Sequence, residues 1–293
     1  RGDIVWEISG KQGTDMMEII TTAIYTVIGG TPLAGFFVFA SLAFWGAYLL
    51  YRAFVIALPH ADHKRYALLI FFLPSMLYWP SSIGKESWLM LFVGVTALGA
   101  ARYFTERRGA VLLLAVGGVG LAVVRPHIAV LMFAALLAAQ LFRPTGGTTA
   151  GLLRKGIGIG VLGVAGFVLV SASAQFLGID DIDAQAVTET IDWSSGQTQQ
   201  GGSEFNPVPL SRPHGVPMAF ITILFRPFPF EAGNAQMVLQ SLEGVFLLGL
   251  LLVSWRRLRQ LPRILRSNPF LWFALLYIVG FVLAAALTGW LAQ

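Results

Sequence analysis

Cysteine is absent from the 293 residues, and only 12% of them are charged. Without cysteine there can be no disulfide scaffold, no thiolate metal site and no thiol nucleophile. An average soluble domain carries about 25% charged residues, so charge this dilute excludes a soluble globule and leaves too little for a nucleic-acid-binding domain. The four histidines, His60, His63, His127 and His214, are too scattered for a metal cluster. Disorder is excluded as well, because 56% of the residues are hydrophobic. Long apolar runs are what the chain has, with a mean hydropathy of +0.72. The class that survives is an all-α, polytopic transmembrane helix bundle.

A spanning helix needs roughly 20 apolar residues, or somewhat fewer where an end is buried in protein. Eight stretches qualify: Pro32 to Leu58, Tyr66 to Pro80, Ser87 to Phe104, Gly109 to Val124, His127 to Phe142, Gly156 to Phe176, Met237 to Trp255 and Pro269 to Leu291. If they alternate across a bilayer, one side holds Arg52, Lys64, Arg65, Arg102, Arg107, Arg108, Arg143, Arg154, Lys155, Arg256, Arg257, Arg259, Arg263 and Arg266. That is 14 of the 20 basic residues, opposed only by Asp62 and Glu106. The positive-inside tendency makes this face cytoplasmic and puts both ends of the chain outside. A miscounted helix would mix the two charge populations, so their sorting supports eight spans.

The sequence reads as one membrane domain over residues 1–293, with an outer segment at 1–31 and a long outer loop at 178–236 between the sixth and seventh spans. An outer segment with no signal sequence implies a further helix upstream, so the chain is expected to be a fragment. The loop is Gln/Gly/Ser-rich at its centre (SSGQTQQGGSEFNP) and proline-rich afterwards. Its apolar run Met218 to Leu224 is too short to span and reads as an interfacial or re-entrant helix.

Topology accounts for the cytoplasmic basic residues, which leaves the outer ones as the informative set. The fourth and fifth spans have 16 residues each, reaching about 24 Å against a hydrocarbon core of about 30 Å. The Val124-Arg125-Pro126-His127 turn is therefore expected below the outer headgroups, where an arginine needs a polar cavity or a bound anion. The bland alternative is an arginine snorkelling to a lipid phosphate. In PSSIGKES, Lys85 and Glu86 stand at the start of the third span, where the helix dipole favours an anion. The bland alternative there is a capped helix start, with Ser81 or Ser82 nearby and Glu86 favourable in the first turn. In FRPFPFE, Arg226 and Glu231 flank a cluster of aromatic residues suited to the headgroup layer, and a plain salt bridge within an aromatic belt would look the same.

Lys85, Arg125 and Arg226 thus come from three outer turns to one face, joined by His127 and Arg212 as further substrate-binding candidates. Cations gathered at lipid depth suit a phosphate or diphosphate whose lipid tail stays in the bilayer. Asp3, Glu7, Asp15, Glu18, Glu86 and Glu231 are the outer carboxylates that could act as a general base, with Glu86 and Glu231 beside the cations. No metal or cofactor is expected.

The run FFLPSMLYWPSSIGKESW, followed by VVRPH and FRPFPFEA, resembles bacterial envelope proteins similar in layout to multi-spanning lipid-linked glycan polymerases and glycosyltransferases of the O-antigen-polymerase type. The resemblance covers roughly Thr31 to Trp255. It implies action on polyprenyl-diphosphate-linked sugars outside the bacterial cytoplasmic membrane, commonly without a metal, with arginines of outer loops on the substrate; Arg125 and Arg226 would take that role. The chain departs from better-known branches in having no Asp-Glu or Asp-Asp metal pair in its first outer segment, which leaves a metal-dependent transferase of the dolichyl-phosphate-sugar kind open.

The expected function is sugar transfer from a polyprenyl-linked donor, with membrane lipid and that donor as partners and no nucleic acid. A non-catalytic subunit of an envelope assembly is the alternative. A lipid or solute carrier is disfavoured, because mid-helix ionisable residues are nearly absent. The topology has a direct test. Cysteines introduced at Ser195 and Ser267 are expected to label unequally with an impermeant reagent in intact cells, and equal labelling would overturn the assignment of sides.

Overall fold

The computed structural model describes residues 12–176 and 215–288. Every regular element among the described residues is helical. They divide into two compact units, the first running to Val130 and including Phe167–Phe176, the second taking Leu131–Gly166 and the residues from 215 onward.

The first unit opens with α1 (Gln12–Ile28), a helix inside the segment expected only as outer sequence. Met17, Ile20 and Ile24 recur at helical spacing and pack, with Phe39 and Val124, into a small core. Gly29, at a φ of +83°, ends the helix in the left-handed conformation that glycine adopts without strain. Pro32 then starts α2 (Pro32–Ala57), where its missing N–H costs nothing. Next come α3 (His63–Phe72) and α4 (Pro74–Tyr78), a 3₁₀ turn at Trp79–Ser81, α5 (Lys85–Phe104) and α6 (Ala110–Val124). The unit also takes the start of α7 (Pro126–Leu141).

Glycine sets the packing. A methyl group built on Gly46 would overlap the Met90 carbonyl, and one on Gly94 would overlap the Gly46 carbonyl. The α2 and α5 backbones therefore touch, as small residues permit between apolar helices. Gly35 meets Ile83 while Gly46 meets Met90, so residue numbers climb together and the two helices are parallel. Against α6 the order reverses: Gly99 faces Leu114, Thr96 faces Gly117 and Phe92 faces Gly120. Trp88 satisfies its indole N–H there, donating to the Gly120 carbonyl at 2.7 Å.

Parallel α2 and α5 require the intervening chain to return along their length. It does so with α3 antiparallel to α2, Tyr66 stacking on Phe54 and Phe71 meeting both Tyr51 and Phe44. The stretch Tyr66 to Pro80, expected as a short span interrupted by Pro74 and Pro80, breaks at the first of them: Leu73 is extended at φ −64°, ψ 131°, because Pro74 crowds the residue before it out of the helical region.

The second unit contains most of α7, α8 (Thr149–Phe176) to Gly166, α9 (Gly215–Phe225), a 3₁₀ turn at Pro229–Glu231, α10 (Ala235–Val253), α11 (Trp255–Leu258), α12 (Leu261–Ser267) and α13 (Pro269–Thr288). Phe142 stacks on Trp272, centroids 4.3 Å apart, so the α7–α8 connection and the start of α13 share one end of this unit. Lys155 closes the end of α7 by donating to the carbonyls of Leu141 and Arg143.

Among the described residues, four helices are long and apolar enough to cross a membrane: Pro32–Ala57, Lys85–Phe104, Thr149–Ser171 and Ala235–Val253. A fifth is reached if Leu261–Ser267 and Pro269–Ala285, bent by 119°, count as one span. Ala110–Val124 and Pro126–Leu141 are apolar but shorter, at 15 and 16 residues. The described residues thus show four or five candidate spans. The helix contact makes a prediction. Gly46→Ala or Gly94→Ala is expected to destabilise by about 1–3 kcal/mol, since backbone cannot yield as a side chain does. Gly160→Ala, whose added methyl meets nothing within 4 Å, is expected to leave the detergent-solution melting temperature unchanged or raised.

Candidate functional site

In the first unit the start of α5, the end of α6 and the start of α7 meet. Arg125 is the single residue between α6 and α7. Its N–H continues the α6 ladder to Leu121, and its carbonyl accepts from Ile128 to begin the next helix. This backbone fixes where the guanidinium leaves the chain. Nη2 lies 3.0 Å from Oε1 of Glu86. Lys85 Nζ donates to Thr14 Oγ1 at 2.8 Å, tying α1 to the start of α5. Lys85 and half-buried His127 both lie within electrostatic range of Arg125, and Lys85 within range of Glu86 as well. Four of the candidates, Lys85, Glu86, Arg125 and His127, are therefore neighbours.

Two details of the site add to the sequence reading. Neither serine caps α5: the N-cap is Gly84, and the Ser81 and Ser82 hydroxyls donate backward to the carbonyls of Leu77 and Trp79. The acidic group in the first turn is Glu86, favourably placed against the helix dipole. Second, Glu86 supplies Arg125 with a carboxylate from within the chain. Both side chains keep access to their surroundings, at 26% and 46% relative exposure, so the pair can be opened by a competing anion.

Arg226 and Glu231 belong to the second unit and pair there, Nε to Oε2 at 2.9 Å. The same carboxylate oxygen accepts the Phe228 N–H at 3.0 Å, which closes the 3₁₀ turn, and the Phe228 and Phe230 rings stack on each other there. The segment Met218 to Leu224, expected as a short interfacial or re-entrant helix, lies in α9. Arg212 and His214, like Asp3 and Glu7, lie outside the described residues. Among the described residues no group of three or more His, Asp and Glu side chains is arranged to hold a metal ion.

Sequence reasoning missed α1 and with it Thr14, and the burial of Asp15, one of the outer carboxylates considered as a base. The signal was present in Met17, Ile20 and Ile24. It also missed Glu243, a buried carboxylate inside α10, flanked by buried Ser241 and by Gly244, which packs against the Phe225 carbonyl. Comparison with protein-family models, with curated proteins and with solved structures returns no match.

The Glu231 turn carries a pH prediction. Burial opposes its ionisation, but the Phe228 N–H and the Arg226 guanidinium outweigh that and hold its carboxyl below the usual carboxylate range. A depressed pKa contributes stability in full above the ordinary carboxylate range and loses it as pH falls through the lowered value. Exchange protection of the Phe228 amide, corrected for intrinsic rates, is expected to fall with acidification in that range. Glu231→Gln is expected to lower the protection at neutral pH and flatten the dependence.

Proposed function

We propose that this chain is a multi-pass glycosyltransferase or glycan polymerase of the bacterial cytoplasmic membrane, acting at the outer face on a polyprenyl-(di)phosphate-linked sugar. Lys85, Glu86 and Arg125, gathered where three apolar helices end, are the observation that carries this reading. Eight passes follow if the broken return through α3 and α4 and the two short helices each count as one, with both chain ends outside.

The chemistry needs a cationic seat for the leaving group and a base for the acceptor. An arriving diphosphate competes with Glu86 for the Arg125 guanidinium, whose planar fork matches phosphate geometry. Displaced, Glu86 is available to take the proton of an acceptor hydroxyl as its oxygen bonds to the anomeric carbon. The bond from that carbon to the diphosphate oxygen breaks, and the departing electron pair is stabilised by Arg125, Lys85 and the α5 N-terminus. His127, in the same unit, is proposed as a further substrate contact.

One observation favours a different reading. Lys85, Arg125 and Arg226 each have an internal partner, in Thr14, Glu86 and Glu231, as polar locks in a non-catalytic membrane subunit would. A host lacking this chain is expected to lose or shorten its membrane glycan and to regain it with the wild-type chain. Arg125→Ala is expected to lower glycan formation by about a hundredfold or more, the scale of one lost transition-state donor. Arg125→Lys is expected to recover part of it. A partly exposed ion pair contributes about 1 kcal/mol or less, so both variants should still be found folded in the membrane. Full activity of Arg125→Ala would sink the transferase and leave the subunit.

A further inference from the structure

Residues 254–268 join α10 to α13 and hold Arg256, Arg257, Arg259, Arg263 and Arg266. No aspartate or glutamate occurs anywhere from Gly244 to Gln293. All five arginines are exposed, and among the described residues no carboxylate pairs with any of them. Setting topology does not require so many charges in one 15-residue stretch.

The stretch is folded. Arg257 and Leu258 donate to the Ser254 carbonyl, Arg263 and Ile264 to that of Gln260, and Asn268 to that of Ile264. The Asn268 side chain then accepts from the Phe270 N–H at 3.0 Å, fixing the start of α13. On α12 the helical period sets Arg263 and Arg266 on one face and Leu261 and Leu265 on the opposite one. Leu265 is buried and Ile264 is exposed at the flank. Exposed Trp255, an indole of the kind that anchors at headgroup depth, precedes the first arginine.

Orientation completes the picture. α12 is bent by 119° from α13, so when α13 stands across a bilayer α12 lies closer to the surface plane than to its normal. Both ends of the arm are tied to apolar helices, which holds the arginines at the level of the headgroups. Lys155, at the same end of this unit, makes the contrast: its ammonium is engaged with two carbonyls.

We propose that residues 254–268 form an interfacial arm that binds anionic phospholipid headgroups. Arginine forks take the phosphate oxygens, while Trp255 and Ile264 enter the acyl boundary. The proposal rests on the membrane-spanning character of α10 and α13 and is independent of sugar transfer.

The test uses the full chain in mild detergent, offered equal amounts of phosphatidylglycerol and phosphatidylcholine with matched acyl chains, and counts retained lipids by native mass spectrometry. Phosphatidylglycerol is expected to be retained over phosphatidylcholine by about fivefold or more, the factor one basic residue near an anionic surface provides. Raising NaCl from about 0.05 to about 0.5 M is expected to erode the preference, because the contacts are solvent-screened. Changing all five arginines to glutamine should abolish it, whereas Arg107→Gln with Arg108→Gln, in a different basic loop, should not. If the fivefold variant fails to insert, Arg263→Gln with Arg266→Gln is expected to reduce the preference by about half or more while leaving topology to the remaining charges. Equal retention of the two lipids by the wild type overturns the proposal. So does a preference that survives the arm substitutions, which would leave the arm to an acidic protein partner. No glycan is measured, so a failure here is separable from a failure of the transferase reading.

Discussion

Backbone contact between α2 and α5 at Gly46 and Gly94 is the constraint from which the first unit follows. Between lipid-facing helices there is little hydrophobic force to draw partners together, so association depends on dispersion at short range, and only residues without a side chain let two backbones approach this closely. Because the contact aligns the helices in parallel, the 27 residues between Ala57 and Lys85 have to travel back along them. The aromatic ladder of Phe54, Tyr51 and Phe44 against Tyr66 and Phe71 guides that return. The return delivers Lys85 and Glu86 to the end where α2 began, and there α1 and the α6–α7 turn also lie. The polar cluster is in this sense a product of glycine packing about two helical turns away.

Class was legible because composition is a bulk property: a chain this apolar and this poor in charge has few structural options. Helix starts were legible too where Pro32 and Gly109 punctuate them, since their backbone preferences act locally. The number of spans was less so. Pro74 was readable as an interruption, but hydropathy counts residues and does not say whether a broken or short run still crosses a membrane. α1 was overlooked because threonines and carboxylates are interspersed among its apolar residues, although Met17, Ile20 and Ile24 keep the helical period.

The site was legible as residues and illegible as pairs. Lys85, Glu86 and Arg125 stood out because charge is scarce in this chain. Nothing in their spacing announces that Glu86 faces Arg125, 39 positions away, because that meeting is set by the antiparallel register of α5 on α6. Glu243 illustrates the same limit from the other direction. Lying inside an apolar run, it was averaged away by hydropathy, and only packing shows it buried where α10 approaches the end of α9.

Pairing distinguishes the two kinds of charge in this chain. Arg125, Lys85 and Arg226 have partners of their own, which lowers the free energy of holding them at the ends of apolar helices and sets a threshold that any competing anion has to exceed. Such a threshold selects ligands of high charge density, and a diphosphate, able to engage two cations at once, meets it better than a single carboxylate or a zwitterionic headgroup. The arginines of residues 254–268 carry no such threshold, so a dilute field of singly charged lipid headgroups is enough to engage them. A cation held by a carboxylate discriminates among anions, and a cation left exposed responds to their surface density. On the two proposed readings, the same guanidinium chemistry serves a selective site in one place and an unselective anchor in the other.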